Sequence, residues 1–218
     1  AEQCARHPSI YGSCVMSAND GLGPNGVPAP DGLYTTAHLL GVWRPDDPLS
    51  YADTLDARVF RASVGLGLRV PTTEVVARDR ALHDHAITRA LDAAIDGRRV
   101  VAFMGGHRLS RTSEAYVLVA SASRALAEQG HLVVTGGGPG AMEAAHLGAR
   151  LSTSPPGDLG AALSLLAAQP TFPSYLQTEL LTADGDLDER VLTDLHAWQA
   201  PAFEVAERWP DETAGVTI

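Results

Sequence analysis

Lysine is absent from this chain: all sixteen basic residues of the 218 are arginines. No lysine means no Schiff base on the protein, which excludes internal-aldimine pyridoxal enzymes. A Walker loop fails for the same reason, because its phosphate-binding lysine has no candidate. Cysteine is scarce. Cys4 and Cys14 make neither a disulfide framework nor a four-ligand zinc spacing. Ordinary thiols are expected, and with them a cytoplasmic location. Long apolar runs are missing; none reaches the roughly 20 residues of a membrane-spanning helix, so no membrane partner is expected. Positive charge is outweighed, with a formal net charge of -10. Proteins that neutralise nucleic-acid phosphates are usually basic, so no nucleic-acid partner is expected. A small nucleotide in a locally positive pocket remains compatible with that balance.

What is present is a chain 45% apolar and 19% charged, the composition of a globular protein. Its length suits one or two domains with a real core. The wealth of alanine, arginine and glycine without lysine hints, by composition alone, at a GC-rich bacterial genome. Residues 1 to about 50 are rich in Gly, Pro, Asn and Asp, as in NDGLGPNGVPAPDGLY and WRPDDPLSY. They predict irregular structure with short strands. DARVFRASVGLGLRV alternates weakly and predicts a strand or two. The first seventy-two residues are therefore expected to form an irregular N-terminal region.

From Thr73 the pattern turns helical. Leu82, Ala86, Ile87, Ala90 and Leu91 recur at helix spacing, and Gly97 supplies a stop. Val100 to Met104 predicts a short buried strand ending in glycines. Ser113 to Gln129 predicts a helix capped by Ser113 or Thr112 and stopped by Gly130. HLVVT predicts a second buried strand, GGGPG a turn, and Ala141 to Ala149 the start of a helix. Short strands joined by a helix imply an α/β fold with parallel pairing. Beyond Arg150, LGAALSLLAAQ, TFPSYLQTELL and DERVLTDLHAWQAPAFEVAERW predict helices, and AGVTI begins a strand.

The stretch VVTGGGPGAMEAAHLGAR puts four glycines in five residues between a strand and a helix. Such a turn exposes the first N–H groups of the helix, which carry partial positive charge and lack intrahelical partners. Without side chains, a phosphate can reach the backbone. Pro139 suits the first turn of the helix. The place is the carboxyl end of a parallel strand, where open α/β sheets bind ligands. The expectation is an anion cradle built from Gly136, Gly137, Gly138 and Gly140. The competing reading is that these glycines only permit tight strand-to-helix packing. A dinucleotide is disfavoured. The acidic residue at the required distance, Asp158, follows SPPG in a predicted loop, and the turn follows the second strand of the unit rather than the first.

VAFMGGHRLSR, then SEAYVLVASASRALAEQGHLVVTGGGPGAMEAAHLGA, resembles the LOG (Lonely Guy) family, whose members are often labelled lysine decarboxylases. The likeness covers residues 99 to 150, including Tyr116. It implies a Rossmann-like domain over 73–218, with a helical insertion at about 152–213, and a nucleoside 5'-monophosphate such as AMP as ligand. It makes a homodimer or other homo-oligomer plausible; no cofactor or metal is expected. In characterised members it also implies hydrolysis of the N-glycosidic bond, that is, a phosphoribohydrolase. The family's second motif, PGGxGTxxE, and the Arg that precedes it do not occur in these residues. That departure raises the expectation of a truncated chain or a separate second half, and leaves the catalytic residues unknown.

The loop after the first strand is expected to face the same ligand through Gly105, Gly106, Arg108 and Ser110. Arg111 and Ser113 are further candidates; a solvated loop with a helix cap is the alternative. Glu143 is expected to reach a ribose or the other loop, or simply to complement the helix dipole. Met142 reads as core. ADGDLDER opens like a calcium loop at Asp184, Asp186 and Asp188, but Glu189 and Leu195 stand where Gly and Glu are needed. A polar turn capping a helix is the better reading. His83 and His85 face different ways on a helix, and Trp198, Phe203 and Trp209 read as packing. Three functions follow: a LOG-type nucleotide-binding protein, hydrolytic when complete; a non-catalytic nucleotide-binding or sensor module; and a scaffold for oligomers.

Overall fold

The computed structural model describes residues 22–67, 69–175, 179–210 and 215–217, the last three by their backbone. Cys4 and Cys14 lie outside the described residues. The chain divides into two compact units. One takes the chain up to Asp92 together with Leu181–Leu192; the other takes Ala93–Leu180 and Thr193 onward. The expected boundary after residue 72 falls inside the first unit.

The first unit is more helical than expected. It contains α1 (Thr36–Leu40), a 3-10 turn (Ser50–Asp53), α2 (Leu55–Gly65) and most of α3 (Glu74–Ile95). The strands expected in DARVFRASVGLGLRV are replaced by α2. Its apolar residues alternate only weakly, but Thr54 caps it: the side chain accepts from Ala57 N at 3.1 Å and donates to Tyr51 O at 2.7 Å. Thr54 itself is fully buried. That cap, followed by Asp56 in the first turn, is the stronger local signal. A glycine turn folds back as Leu22 bridges Pro28 antiparallel, and Asn25 Nδ2 donates to Asp79 Oδ2 at 2.6 Å. The helix α3 occurs where the spacing predicts it, and Gly97 past its end has φ 66°. The anticipated stripe is met in part: Ala86, Ile87, Ala90 and Leu91 are half-buried between exposed neighbours. Leu82 is 60% exposed, and Val76 is the buried residue of α3.

The second unit is mixed α/β. Three parallel strands, β1 (Val100–Phe103), β2 (Leu132–Thr135) and β3 (Gly215–Thr217), pair in the order β1-β2-β3. Val101 pairs with Val133, and Val133 with Gly215, so the strand begun by AGVTI does pair. Between β1 and β2 runs α4 (Glu114–Glu128); after β2 come α5 (Ala141–Arg150), α6 (Pro156–Leu166) and α7 (Glu189–Arg208). All four residues of β2 are buried. β1 is not the buried strand expected: Val100 is 40% exposed, because β1 lies at a sheet edge while β2 is central. Asp158, expected in a loop, lies in the first turn of α6, which starts at Pro156 because proline suits that position. The helix expected in TFPSYLQTELL falls partly on residues 176–178, outside the described ones.

The core of this unit joins Tyr116 and Ala120 of α4 to Ala144 and Leu147 of α5, Leu159 and Leu166 of α6, and Val205 of α7. The α4–α5 crossing is made of small residues. A Cβ on Gly148 would sit 2.0 Å from Ala120 O, and buried Ser123 donates to Ala145 O at 2.6 Å. Arg150 caps the carboxyl end of α7, its Nε donating to Trp209 O at 2.7 Å and its Nη2 to Ala206 O at 3.2 Å. A cation there also complements the helix dipole.

Candidate functional site

Both glycine loops leave the carboxyl ends of adjacent parallel strands and meet. Gly106, at φ 68°, accepts at its carbonyl from Leu109 N at 3.0 Å and from Ala141 N at 3.2 Å. One of the first N–H groups of α5 is therefore held by the other loop. The reverse contact is tighter. Gly140, at φ 74° and ψ -124°, is the N-cap of α5, and a Cβ there would lie 2.3 Å from Gly106 O. A Cβ on Gly106 would come 2.6 Å from Ala141 Cβ. At these two positions glycine is required by the approach of one loop to the other. Pro139, expected at the start of the helix, stands before the N-cap instead, because the positive φ of Gly140 delays the helix to Ala141.

The other glycines make no such backbone contact. Gly105 is exposed, with φ 85°. Gly136 and Gly137 are exposed and Gly138 is half-buried; Gly137 has φ 71° and donates its N–H to Thr135 Oγ1 at 3.3 Å. A Cβ on Gly138 would meet only the tip of Met142, 2.4 Å from Cε. Met142 is buried beneath the turn, as expected of a core residue. No side chain caps α5. The first turn thus offers main-chain N–H groups beside an open glycine surface.

The flanking side chains divide sharply. Arg108 is exposed. Ser110 is committed to its own loop and to the segment after α6: Oγ lies 2.9 Å from Thr112 Oγ1 and donates to Pro170 O at 3.1 Å. Ser113 caps α4, accepting from Tyr116 N at 3.2 Å. Arg111, weighed as a phosphate ligand, is 2% exposed. Its Nε and Nη2 donate to Glu143 at 3.0 and 2.5 Å. Its Nη1 donates to Gln169 O at 3.1 Å and Trp198 O at 3.0 Å, and the guanidinium carbon stands 4.2 Å from the Trp198 ring centroid. Phe172 packs edge-on to that ring. Arg111 is therefore spent on the scaffold.

Glu143 reaches the other loop rather than standing free. Besides Arg111, it accepts from Tyr116 Oη at 2.9 Å. Burial first, then the Glu143 charge, push the Tyr116 phenol far above its ordinary range. This network of Arg111, Glu143 and Tyr116 ties the loop after β1 and α4 to the first turn of α5. The sequence reading named its members singly and missed that they act together. Their spacing, 111, 116 and 143, carries no periodic signal; only the α4–α5 packing brings them into contact.

The other candidates take the expected structural roles. Asp188 caps α7, accepting from Val191 N at 3.0 Å, and Asp186 accepts at its carbonyl from Thr182 N at 2.7 Å. ADGDLDER is thus a polar turn leading into a helix. Among the described residues no group of three His, Cys, Asp or Glu could hold a metal, and no helix is long and apolar enough to cross a membrane. Comparison of the chain with protein-family models, with curated proteins and with solved structures finds no match.

Proposed function

We propose that the second unit is a Rossmann-like anion-binding domain. In particular, we read it as a LOG-type site for the phosphate of a nucleoside 5'-monophosphate, with AMP as the first ligand to try. The observation that supports this is the union of the two glycine loops at the carboxyl ends of neighbouring parallel strands, stitched by the Ala141 N–H to Gly106 O bond. Gly106 and Gly140 serve packing, as the bland reading of these glycines holds. Gly136, Gly137 and Gly138 are not needed for that packing, and they leave room beside the uncapped α5 for an anion. Arg108 is the exposed cation of the adjoining loop. The proposal is one of binding. The family's glycosidic step would need in addition the Glu of PGGxGTxxE, which is not among these residues; a non-catalytic nucleotide-binding module is the second reading.

Gly138→Val tests it. The added side chain displaces the flexible end of Met142 rather than backbone, so the fold survives while the cradle is filled. AMP affinity measured by calorimetry should fall at least about tenfold, the worth of one or two lost main-chain contacts to an anion. Unchanged AMP binding in a variant with native circular dichroism removes the cradle assignment. Release of free base from AMP by the wild-type chain would instead restore the hydrolase reading.

A further inference from the structure

We propose that the first unit carries a second binding site, for an apolar α-amino acid, in a cavity bounded by α2 and α3. The inference does not rest on the nucleotide reading. The cavity has a volume of 270 Å3, just under the ~300–1,000 Å3 usual for ligand pockets. That is small for a nucleotide and suited to one amino acid. Its walls are mainly apolar, with Val27, Leu39, Leu55, Val59 and Leu66.

Two ionic groups of opposite sign line this same space: Asp56 on α2 and Arg80 on α3. They are not paired with each other. Arg80 Nη1 donates to Gly67 O at 2.7 Å. Asp56 accepts from Tyr51 Oη at 2.6 Å through one oxygen. Among the described residues, no further polar partner is seen for either. The rest of the guanidinium fork and the second carboxylate oxygen are therefore open. Tyr34 and His83 also line the cavity, but they satisfy one another: Oη and Nε2 are 3.2 Å apart, and the rings stack at 26°. They form wall rather than binding groups.

Charge complementarity selects the ligand. A simple carboxylate would suit Arg80 but meet Asp56. A simple amine would suit Asp56 but meet Arg80. A zwitterion satisfies both, its carboxylate in the Arg80 fork and its ammonium on the free Asp56 oxygen. Its side chain then lies on the apolar wall. No residue in either glycine loop lines this cavity.

Calorimetry on the full chain with four compounds tests the proposal: L-phenylalanine, L-leucine, N-acetyl-L-phenylalanine and L-phenylalaninamide. Both zwitterions should bind. Each derivative lacks one charge and should bind at least about tenfold more weakly, the worth of one charge-assisted contact. Arg80→Gln should abolish discrimination against the amide, and Asp56→Asn discrimination against the acetylated compound. No binding of either zwitterion at millimolar concentration overturns the proposal. So does equal binding of the derivatives by the wild-type chain, or discrimination that survives in the folded variants. The wild-type series decides the matter even where a variant does not fold. AMP binding measured alongside bears only on the other site.

Discussion

Arg111 shows how far one side chain's role departs from its residue type. An arginine in a polar loop next to a glycine motif looks like a phosphate ligand, yet this one is buried against Trp198 and bidentate to Glu143. Removing one partner of such a pair leaves the other charge without compensation, typically costing about 3–5 kcal/mol. Arg111→Met should therefore lower stability towards urea by about 3 kcal/mol, since Glu143 keeps some access to water. Adding Glu143→Gln should recover part of the loss. A double variant no more stable than the single one would assign the effect to lost packing on Trp198. Tyr116 belongs to the same network and makes it sensitive to alkali. Its folded pKa lies above the ordinary value, so the folded chain keeps a proton that the unfolded chain releases. The contribution is fully present below the ordinary tyrosine pKa of about 10. It is lost as pH rises above that value, at about 1.4 kcal/mol per pH unit until the folded group titrates. Urea titrations from about pH 9 to 11, roughly spanning the ordinary tyrosine pKa, should show stability falling above about pH 10, with contributions from Tyr116 and from buried Tyr51, whose phenol is also pushed up, and a smaller fall in Tyr116→Phe. An unchanged slope in the variant would place the sensitivity elsewhere.

At the scale of elements, the crossing of α4 on α5 holds the site together. It sets Tyr116 against Glu143, and its closeness depends on Gly148. The atoms around a Cβ at Gly148 are Ala120 O, Ala120 C and Arg124 N, all main chain of α4, so no side chain can move aside. Overpacking commonly costs about 1–3 kcal/mol, and Gly148→Ala should reach about 3 kcal/mol by urea unfolding because a helix axis must shift. A loss below about 1 kcal/mol would mean that the crossing is more compliant than its geometry. A glycine inside a helix is weakening on its own account. The reason for Gly148 is visible only from the partner helix.

At the scale of the molecule, a chain of two compact units need not unfold in a single transition. A ligand stabilises what it binds. AMP at one hundred times its dissociation constant should add about 2.7 kcal/mol to the unit carrying the glycine loops. Thermal unfolding followed by tryptophan fluorescence, where Trp198 and Trp209 report on that unit, should move upward with AMP. Saturating AMP that moves no transition would count against the nucleotide site.

Legibility followed the range of the interactions. The helices α3, α4, α5 and most of α7, the strand β2 and the caps at Ser113 and Asp188 are local matters of periodicity, capping oxygens and stop glycines. They could be read along the chain. So could the union of strand, glycine turn and helix. The exposure of β1 could not, because burial of a strand depends on its place in the sheet. Nor could α2, where weak alternation outweighed a good cap. The division of the glycines into packing positions, Gly106 and Gly140, and open ones, Gly136 to Gly138, needed the two loops side by side. The pairing of Arg111 with Glu143 and the shared cavity of Asp56 and Arg80 needed helices brought together from distant segments. The chain alone determined most of the helices, the central strand and the glycine turn, since those choices are made by neighbours a few residues apart. Tertiary structure alone decided which charges meet and which stay open, since that depends on packing between segments that no sequence spacing encodes.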